Sequence, residues 1–180
     1  MSLYLLDVSN MIYRAFYTLS PDKFKRESDE LAVNAVYGVM TMILKLITEQ
    51  KMNPTTFVAC MDSSTCNKKR LEINPEYKQT RSKCPDKLRH QFKWIKEAID
   101  AMGIPRIEME EYEADDVIAS IAKQKMKKYD EVIIVSPDKD MCQLIDDNIA
   151  IYNPSKKEKM TRKEVKVKYD VYPEEFALYQ

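Results

Sequence analysis

Apolar residues occur along the chain either in short continuous runs or at helical spacing. Short runs predict buried strands, and longer segments with an apolar residue at every third or fourth position predict helices. The predicted strands are LYLLDV (residues 3–8), TTFVACMD (55–62), IPRIEM (104–109), EVIIVSPDKD (131–140) and NIAIYN (148–153). The predicted helices cover residues 30–50, 85–103, 113–128 and 140–145. This alternation predicts an α/β fold with a central, mostly parallel sheet flanked by helices.

Composition indicates a soluble globular domain and argues against several classes of protein. The 180 residues are 44% hydrophobic, and no apolar run approaches the roughly 20 residues that span a membrane. Two glycines are too few for a glycine-rich phosphate loop. Four cysteines without a C-x-x-C pair, with a single histidine, suggest no zinc site. Because the N-terminus has no signal-peptide pattern, we expect a cytoplasmic protein.

Acidic residues stand at the ends of the predicted strands. They are Asp7 after the first strand, Asp62 after the second, Glu113, Asp115 and Asp116 after the third, and Asp138 and Asp140 after the fourth. The carboxyl ends of parallel strands meet at one edge of a sheet, so we expect these side chains to lie together. Each acid alone could cap a helix or complement its dipole. Three acids in one helix start are less well explained in this way, because neighbouring carboxylates repel.

This set of oxygen ligands predicts a site for a hard divalent cation. Carboxylates without histidine or cysteine suit Mg²⁺ or Mn²⁺ better than zinc. Two such ions, about 4 Å apart, can activate a water and stabilise the leaving oxygen of a phosphodiester. We therefore expect the acids to bind one or two Mg²⁺ or Mn²⁺ ions.

Positive charge is concentrated in residues 67–93, although the whole chain has no net charge. The basic residues there are Lys68, Lys69, Arg70, Lys78, Arg81, Lys83, Lys87, Arg89 and Lys93, against the acids Glu72, Glu76 and Asp86. Such a run is commonly a solvated surface, but this one follows the strand that ends at Asp62. Basic residues bind phosphates and an aromatic residue such as Tyr77 can stack on a base. Metal-binding acids beside this segment are typical of a nuclease; Arg14 is either a further phosphate ligand or a surface residue.

Six segments in this order resemble the N-terminal 5′-nuclease domain of bacterial DNA polymerase I, a flap endonuclease-like domain with a PIN-like fold. They are LLDVSNMIYRAFYTL, AVYGVMTMILKLI, Asp62 followed by Arg70, YKQTR before PDKLRHQ, YEADDVIA and SPDKDMCQLI. The resemblance covers nearly all of the chain, so we expect residues 1–180 to form one domain. It implies a monomeric, divalent-metal-dependent 5′–3′ exonuclease or flap endonuclease that cuts DNA in replication and repair. It also implies a longer parent chain with a polymerase domain.

The resemblance assigns roles to individual residues. Metal ligands are Asp7, Asp62, Glu113, Asp115, Asp116, Asp138 and Asp140; catalytic residues are Lys78 and Arg81; DNA-binding residues are Arg14, Arg70, Tyr77, Lys78 and Arg81. The basic run itself adds Lys68, Lys69 and Lys83 as DNA-binding candidates. Residues 63–90 correspond to a helical arch that single-stranded DNA passes. We expect this arch segment, residues 63–90, to be disordered or variable without DNA.

Three departures from the family pattern qualify this interpretation. Val8 stands where the family has glycine, and Lys68 and Lys69 replace Thr-Phe before Arg70. The chain also ends before a Gly-Asp-x-x-Asp-Asn stretch and a helix–hairpin–helix region, so we expect a shortened nuclease that holds a second metal and duplex DNA weakly. Two alternatives remain: a module that binds branched DNA without cutting it, and a phosphorylated receiver-like regulator. The second would leave the basic segment unexplained.

Overall fold

The structure is a computed structural model that describes residues 1–125 and 127–179. Within these ranges six strands form one sheet: β1 Ser2–Asp7, β2 Phe57–Asp62, β3 Arg106–Met109, β4 Glu131–Val135, β5 Ile149–Asn153 and β6 Glu158–Met160. Their order is β3-β2-β1-β4-β5-β6, and every neighbouring pair is parallel except β5 and β6. The predicted α/β class with a mostly parallel sheet is confirmed. The short antiparallel strand β6 was not predicted.

Helices cover both faces of this sheet. They are α1 Val8–Thr18, α2 Asn34–Thr48, α3 Lys68–Ile73, α4 Asp86–Arg89, α5 Gln91–Ala101, α6 Ala114–Lys125, α7 Arg162–Tyr169 and α8 Phe176–Tyr179. Leu5 and Leu6 of β1 are both fully buried, Leu6 in the cluster with α1, α2 and α5, and Leu5 in the cluster with α6 and α7. A strand covered on both faces is apolar at consecutive positions, which explains the unbroken run in β1.

The structure corrects several predicted boundaries. The helix predicted at 30–50 begins only at Asn34, and the one predicted at 85–103 is two helices joined at His90. The strand predicted at 131–140 ends at Val135, two residues before Pro137, which cannot donate a ladder hydrogen bond. The helix predicted at 140–145 is a 3-10 helix, Lys139–Leu144, and Ile145 after it is extended. The helix predicted at 113–128 ends at Lys125; Met126 of that prediction, like Gln180 of the predicted domain, lies outside the described residues.

Helix α2 packs closely against α1 at Gly38. A Cβ atom added to Gly38 would lie 2.5 Å from the Cβ atom of Ala15, closer than non-bonded carbons approach. A larger residue would therefore push the two helices apart. Because α1 starts directly after Asp7, this packing holds the helix beside the strand-end acids.

The order of the strands reverses between β1 and β4. The chain runs outward from β1 to β2 and β3, then returns to place β4 on the other side of β1. Ligands of open α/β sheets bind at the carboxyl ends of the strands beside such a reversal. Asp7 ends β1 and Ser136 follows β4 at this position. In the ranges that the structure describes, no helix is both long and apolar enough to cross a membrane.

Candidate functional site

A cavity of about 360 Å³ opens at the carboxyl edge of the sheet. We call it the carboxylate cavity, because five of the seven predicted acids line it: Asp7, Asp62, Glu113, Asp115 and Asp138. The other lining residues are Ser9, Asn10, Tyr13, Arg14, Tyr17, Lys78, Arg81 and Ala114. The fold thus brings together acids from four separate strand ends, spread over more than a hundred residues of sequence.

Asp7 lies at the bottom of this cavity and is 2% exposed. Its Oδ1 atom accepts from the backbone N–H of Asn10 at 3.0 Å, which caps α1, and its Oδ2 atom accepts from the Ser136 hydroxyl at 2.7 Å. Burial raises the pKa of Asp7 to about 6, although these two hydrogen bonds oppose the rise and the charges of Asp62 and Asp138 add to it. Asp7 therefore serves as the helix cap and as a cavity acid at once.

Asp62 and Asp138 are positioned by short links to neighbouring elements. The Asp62 Oδ1 atom accepts from the backbone N–H of Ala114 at 2.7 Å, and the backbone N–H of Asp62 donates to the Ser9 hydroxyl at 2.8 Å. The backbone N–H of Asp138 donates to the Ser136 hydroxyl at 3.1 Å. Ser136 thus connects Asp7 with the segment of Asp138, so that the ends of β1 and β4 keep a fixed separation.

Asp115 experiences the combined charge of the other acids. Desolvation within the cavity is the largest cause that raises its pKa to about 7, and Asp7, Asp138, Asp62 and Glu113 raise it further. Its side chain makes no ion pair with any residue in 1–125 or 127–179. The negative charge of the cavity is therefore only partly compensated by the protein.

Glu113 differs from Asp115 in having three partners from the arch segment. Lys78 donates to its Oε1 atom, the Tyr77 hydroxyl donates to Oε2 at 2.8 Å, and the Arg70 Nε atom lies 3.0 Å from Oε2. Arg70 also donates from Nη2 to Asp116 Oδ1 at 2.7 Å. We call these contacts of Arg70, Tyr77 and Lys78 the inner anchor, because they fix the arch segment to the cavity rim.

Two predicted ligands, Asp116 and Asp140, are not among the residues that line the cavity. Each is hydrogen-bonded to an acid that lines the cavity. Asp116 Oδ2 accepts from the backbone N–H of Glu113 at 3.2 Å, and the backbone N–H of Asp140 donates to Asp138 Oδ1 at 2.9 Å. Their role as metal ligands stays a prediction.

The donor chemistry of the cavity fits a hard divalent cation. Five carboxylates face one space, and burial, with a further contribution from the neighbouring carboxylate charges, raises the pKa of Asp7 and of Asp115 there. In the described part of the chain, however, no three acidic, histidine or cysteine groups are arranged as a metal cluster. The oxygens of Asp7, Asp62 and Glu113 accept hydrogen bonds from the protein instead. A carboxylate oxygen that accepts one of these hydrogen bonds keeps a lone pair with which it can bind an ion.

The predicted phosphate-binding residues fall into two groups. Arg14, Lys78 and Arg81 line the carboxylate cavity, and Lys78 and Arg81 also line an adjoining cavity of about 1010 Å³. Lys68 and Lys69 lie outside both and contact Glu111 and Tyr112 instead, and Lys83 is exposed and lines neither cavity. The arch segment is described throughout and contains α3 and α4; its change of conformation with DNA stays a prediction.

Sequence reasoning missed Tyr13 and Asn10 as cavity residues, and Ser136 as the hydrogen-bond donor to the buried Asp7. Ser136 follows β4 directly, so its strand-end position could have identified it in the same way as the acids. Tyr13 lies one helical turn after Ser9 in α1, so the helical period could have placed both on the face toward the cavity. Trp94, which lies beside the basic run, packs edge-on against His90 with ring centroids 5.1 Å apart.

A family model, 5′-3′ exonuclease, N-terminal resolvase-like domain, matches residues 2–170. The chain belongs to this 5′–3′ exonuclease family. It is 39% identical over 178 residues to a 5′-3′ exonuclease of Aquifex aeolicus, an alignment that covers 99% of this chain and 60% of the relative. It is 37% identical over 177 residues to DNA polymerase I of Rhizobium leguminosarum, covering 96% of this chain and 17% of that protein. The chain thus spans three fifths or less of the length of these curated relatives.

The fold of this nuclease family member is shared with a phage enzyme. The crystal structure of the D15 flap endonuclease of bacteriophage T5, in a pseudo-enzyme–product complex with DNA and metal ions, aligns with a TM-score of 0.71 at 21% identity. The alignment covers 98% of this chain and 64% of the phage chain. The predicted resemblance to the nuclease domain of DNA polymerase I is confirmed, and the receiver-like alternative is wrong.

Proposed function

We propose that this family member is the nuclease domain of a divalent-metal-dependent 5′–3′ exonuclease or flap endonuclease, which hydrolyses DNA phosphodiesters during replication and repair. Its main support is the carboxylate cavity, where five acids and three basic residues face one space of about 360 Å³. Acids suited to a metal ion beside basic groups suited to phosphate form the layout that phosphodiester hydrolysis needs. The DNA and metal ions bound by the phage neighbour are consistent with the proposal.

The acidic residues of the cavity would bind the metal ions, and the basic residues would bind the substrate. Asp7, Asp62, Glu113, Asp115 and Asp138 would hold one or two Mg²⁺ or Mn²⁺ ions. Such an ion, when bound, supplies an activated water and stabilises the leaving oxygen. Ser136 keeps the acids at the ends of β1 and β4 in place through its hydrogen bonds to Asp7 and to the backbone of Asp138.

The basic residues at the mouth of the cavity would bind and orient the DNA. Lys78 and Arg81 line both cavities, so they can contact a phosphate that passes from the larger space to the acids. Arg14, on α1, also lines the carboxylate cavity and can bind a neighbouring phosphate. Holding the phosphate between these groups fixes the direction from which water can attack.

Cleavage of a 5′-labelled flap DNA by the chain in Mg²⁺ or Mn²⁺ tests this proposal. Asp138→Asn removes a cavity charge and should lower the single-turnover rate by about 10²- to 10³-fold, with DNA affinity in EDTA changed by less than about threefold. Asp147→Asn makes the same chemical change at an exposed residue outside the cavity and should leave the rate unchanged. Equal rates for wild type and Asp138→Asn would contradict the assignment of the acids.

A second candidate function is a module that binds branched DNA without cutting it. The observation in its favour is that no three groups in the described part of the chain are arranged as a metal cluster. The same assay separates the two functions. Tight flap binding, with no product at any Mg²⁺ or Mn²⁺ concentration, would support the binding module and reject the nuclease.

A further inference from the structure

A second set of contacts ties the arch segment to the rest of the protein outside the cavity. The Lys68 Nζ atom donates to Glu111 Oε1 at 2.5 Å, and Lys69 Nζ donates to the Tyr112 hydroxyl at 2.6 Å while lying 4.0 Å from the centroid of its ring. The backbone N–H of Glu111 donates to the Thr65 hydroxyl at 3.2 Å. We call these contacts of Lys68 and Lys69 the outer contact.

Glu111 has the local backbone of a residue held in place by its surroundings. Its φ angle is 67°, in the left-handed region that glycine and asparagine adopt more readily. A non-glycine residue in this conformation is strained, and such strain persists where neighbouring interactions determine the position of the residue. Here those interactions are the hydrogen bond to Thr65 and the ion pair with Lys68.

The outer contact is weak enough to be exchanged for another anion. The side chains of Lys68, Lys69 and Glu111 are 58%, 44% and 31% exposed, in contrast to 6% for Glu113 of the inner anchor. Exposed ion pairs are screened by water and salt and contribute little to stability. The ion pair raises the pKa of Lys68 and lowers that of Glu111, so both groups remain charged at neutral pH.

The two lysines are close to the path that the proposed function assigns to DNA. They are the first two residues of α3, and Arg70 follows them directly and touches Glu113 at the cavity rim. A carboxylate oxygen and a phenol oxygen now accept from their ammonium groups. The charged oxygens of a DNA phosphodiester accept the same hydrogen bonds.

We propose that Glu111 and Tyr112 compete with DNA phosphates for Lys68 and Lys69, so that Glu111 sets how tightly the arch segment binds DNA. This inference rests on the proposed function, since it takes DNA as the ligand. Glu111 does not line either cavity, and the proposed function does not use it as a metal ligand. DNA displaces the side chain of Glu111 from Lys68 when it binds, and the lost ion pair reduces the affinity.

Binding of a fluorescent 5′-flap DNA in EDTA tests the competition. Glu111→Gln should tighten binding by about two- to fivefold, the range expected when an exposed ion pair no longer has to be broken. Glu110→Gln is the matched control: it removes the same charge from the adjacent exposed residue, which acts on Lys68 through its charge alone, whereas Glu111 contacts Lys68 directly. An equal gain in both variants would show a general charge effect and overturn the proposal.

A double-mutant cycle adds a more specific readout. Lys68→Ala should weaken DNA binding more in the Glu111→Gln protein than in wild type. In wild type, Lys68 must break its ion pair with Glu111 before it binds a phosphate, so its net contribution to DNA affinity is smaller there. Additive effects, or weaker binding by Glu111→Gln, would mean that the contact only supports the arch segment and would reject the competition.

Tryptic cleavage of the folded protein after Lys68 and Lys69 separates this inference from the proposed function. Glu111→Gln should speed this cleavage, and Glu110→Gln should not. Faster cleavage with no DNA binding by any form would reject the proposed nuclease and DNA as the competitor, but would confirm that Glu111 holds the segment. Unchanged cleavage would overturn the role of Glu111 itself.

Discussion

Glu113 and Glu111 are two residues apart, and both accept hydrogen bonds from lysines of the arch segment. The Glu113 side chain is 6% exposed and has Arg70, Tyr77 and Lys78 as partners, whereas the Glu111 side chain is 31% exposed. A buried carboxylate without a partner would be strongly unfavourable, while an exposed one is solvated by water. The inner anchor is therefore a structural necessity of the cavity, and the outer contact is exchangeable.

The largest difference between the two regions should appear in stability. Lys78→Met removes the ammonium group from the buried Glu113 and should lower the free energy of unfolding by about 2 kcal/mol. Lys68→Met, the same substitution in the outer contact, should leave it nearly unchanged, because that ion pair is exposed to water and salt. Urea unfolding in EDTA measures both values. Equal losses would show that burial does not distinguish the two contacts.

A second difference is expected in the pH dependence of stability, because Asp7 is buried and has no ion pair with any residue in the described ranges. Its pKa is raised from 3.8 to about 6 by burial, so the folded state holds a proton at a pH where the unfolded state has lost it. The stability associated with this proton is present below about pH 4 and is lost as pH rises through about 6. The pKa of Glu111 is lowered by its contact with Lys68, so its contribution to the stability of the protein is kept as the pH rises.

Asp7→Asn tests this prediction, since asparagine keeps an acceptor oxygen but has no charge. Relative to wild type in EDTA, the variant should gain about 1–2 kcal/mol of unfolding free energy between pH 4 and pH 7. Chemical unfolding at several pH values gives the comparison, and Glu111→Gln serves as the control. Parallel pH profiles for wild type and Asp7→Asn would contradict the raised pKa.

The smallest effect concerns two basic residues of the arch segment that differ in position. Arg81 lines both cavities and Lys83 lines neither. Arg81→Ala should weaken flap-DNA binding by about fivefold and lower the salt dependence of the affinity by about one phosphate contact. Lys83→Ala should change the affinity by less than about twofold. Equal salt slopes for Arg81→Ala and wild type would place Arg81 outside the DNA interface.

The positions of the strands could be predicted from local pattern alone. β1 and β2 are continuous apolar runs that end in Asp7 and Asp62, and a strand buried on both faces shows just this pattern. The helix boundaries were less predictable. Residues 19–33 form a turn with a bridge between Lys25 and Ala32, and the contact that shapes it involves His90, which binds the Ala32 carbonyl from far along the chain.

The candidate acids could likewise be found from their positions at strand ends. The carboxyl ends of parallel strands lie at one edge of the sheet, irrespective of the structure of the connecting segments. Sequence could not tell which acids have partners. Asp115 and Asp116 are adjacent, yet Asp116 pairs with Arg70, and Asp115 faces the other cavity acids. These surroundings depend on where α3 lies, and α3 has no buried residue that would have predicted its position.

The sequence by itself determined the α/β class, the family and the gathering of acids at one sheet edge, since each follows from local periodicity or from motifs within single segments. Only the tertiary structure decided which charges are buried and which are exposed. The difference between Glu113 and Glu111, or between Lys78 and Lys68, is set by burial against distant segments and not by residue type. The free energy of a charge depends on the solvent and partners around it, and these are known only once the chain has folded.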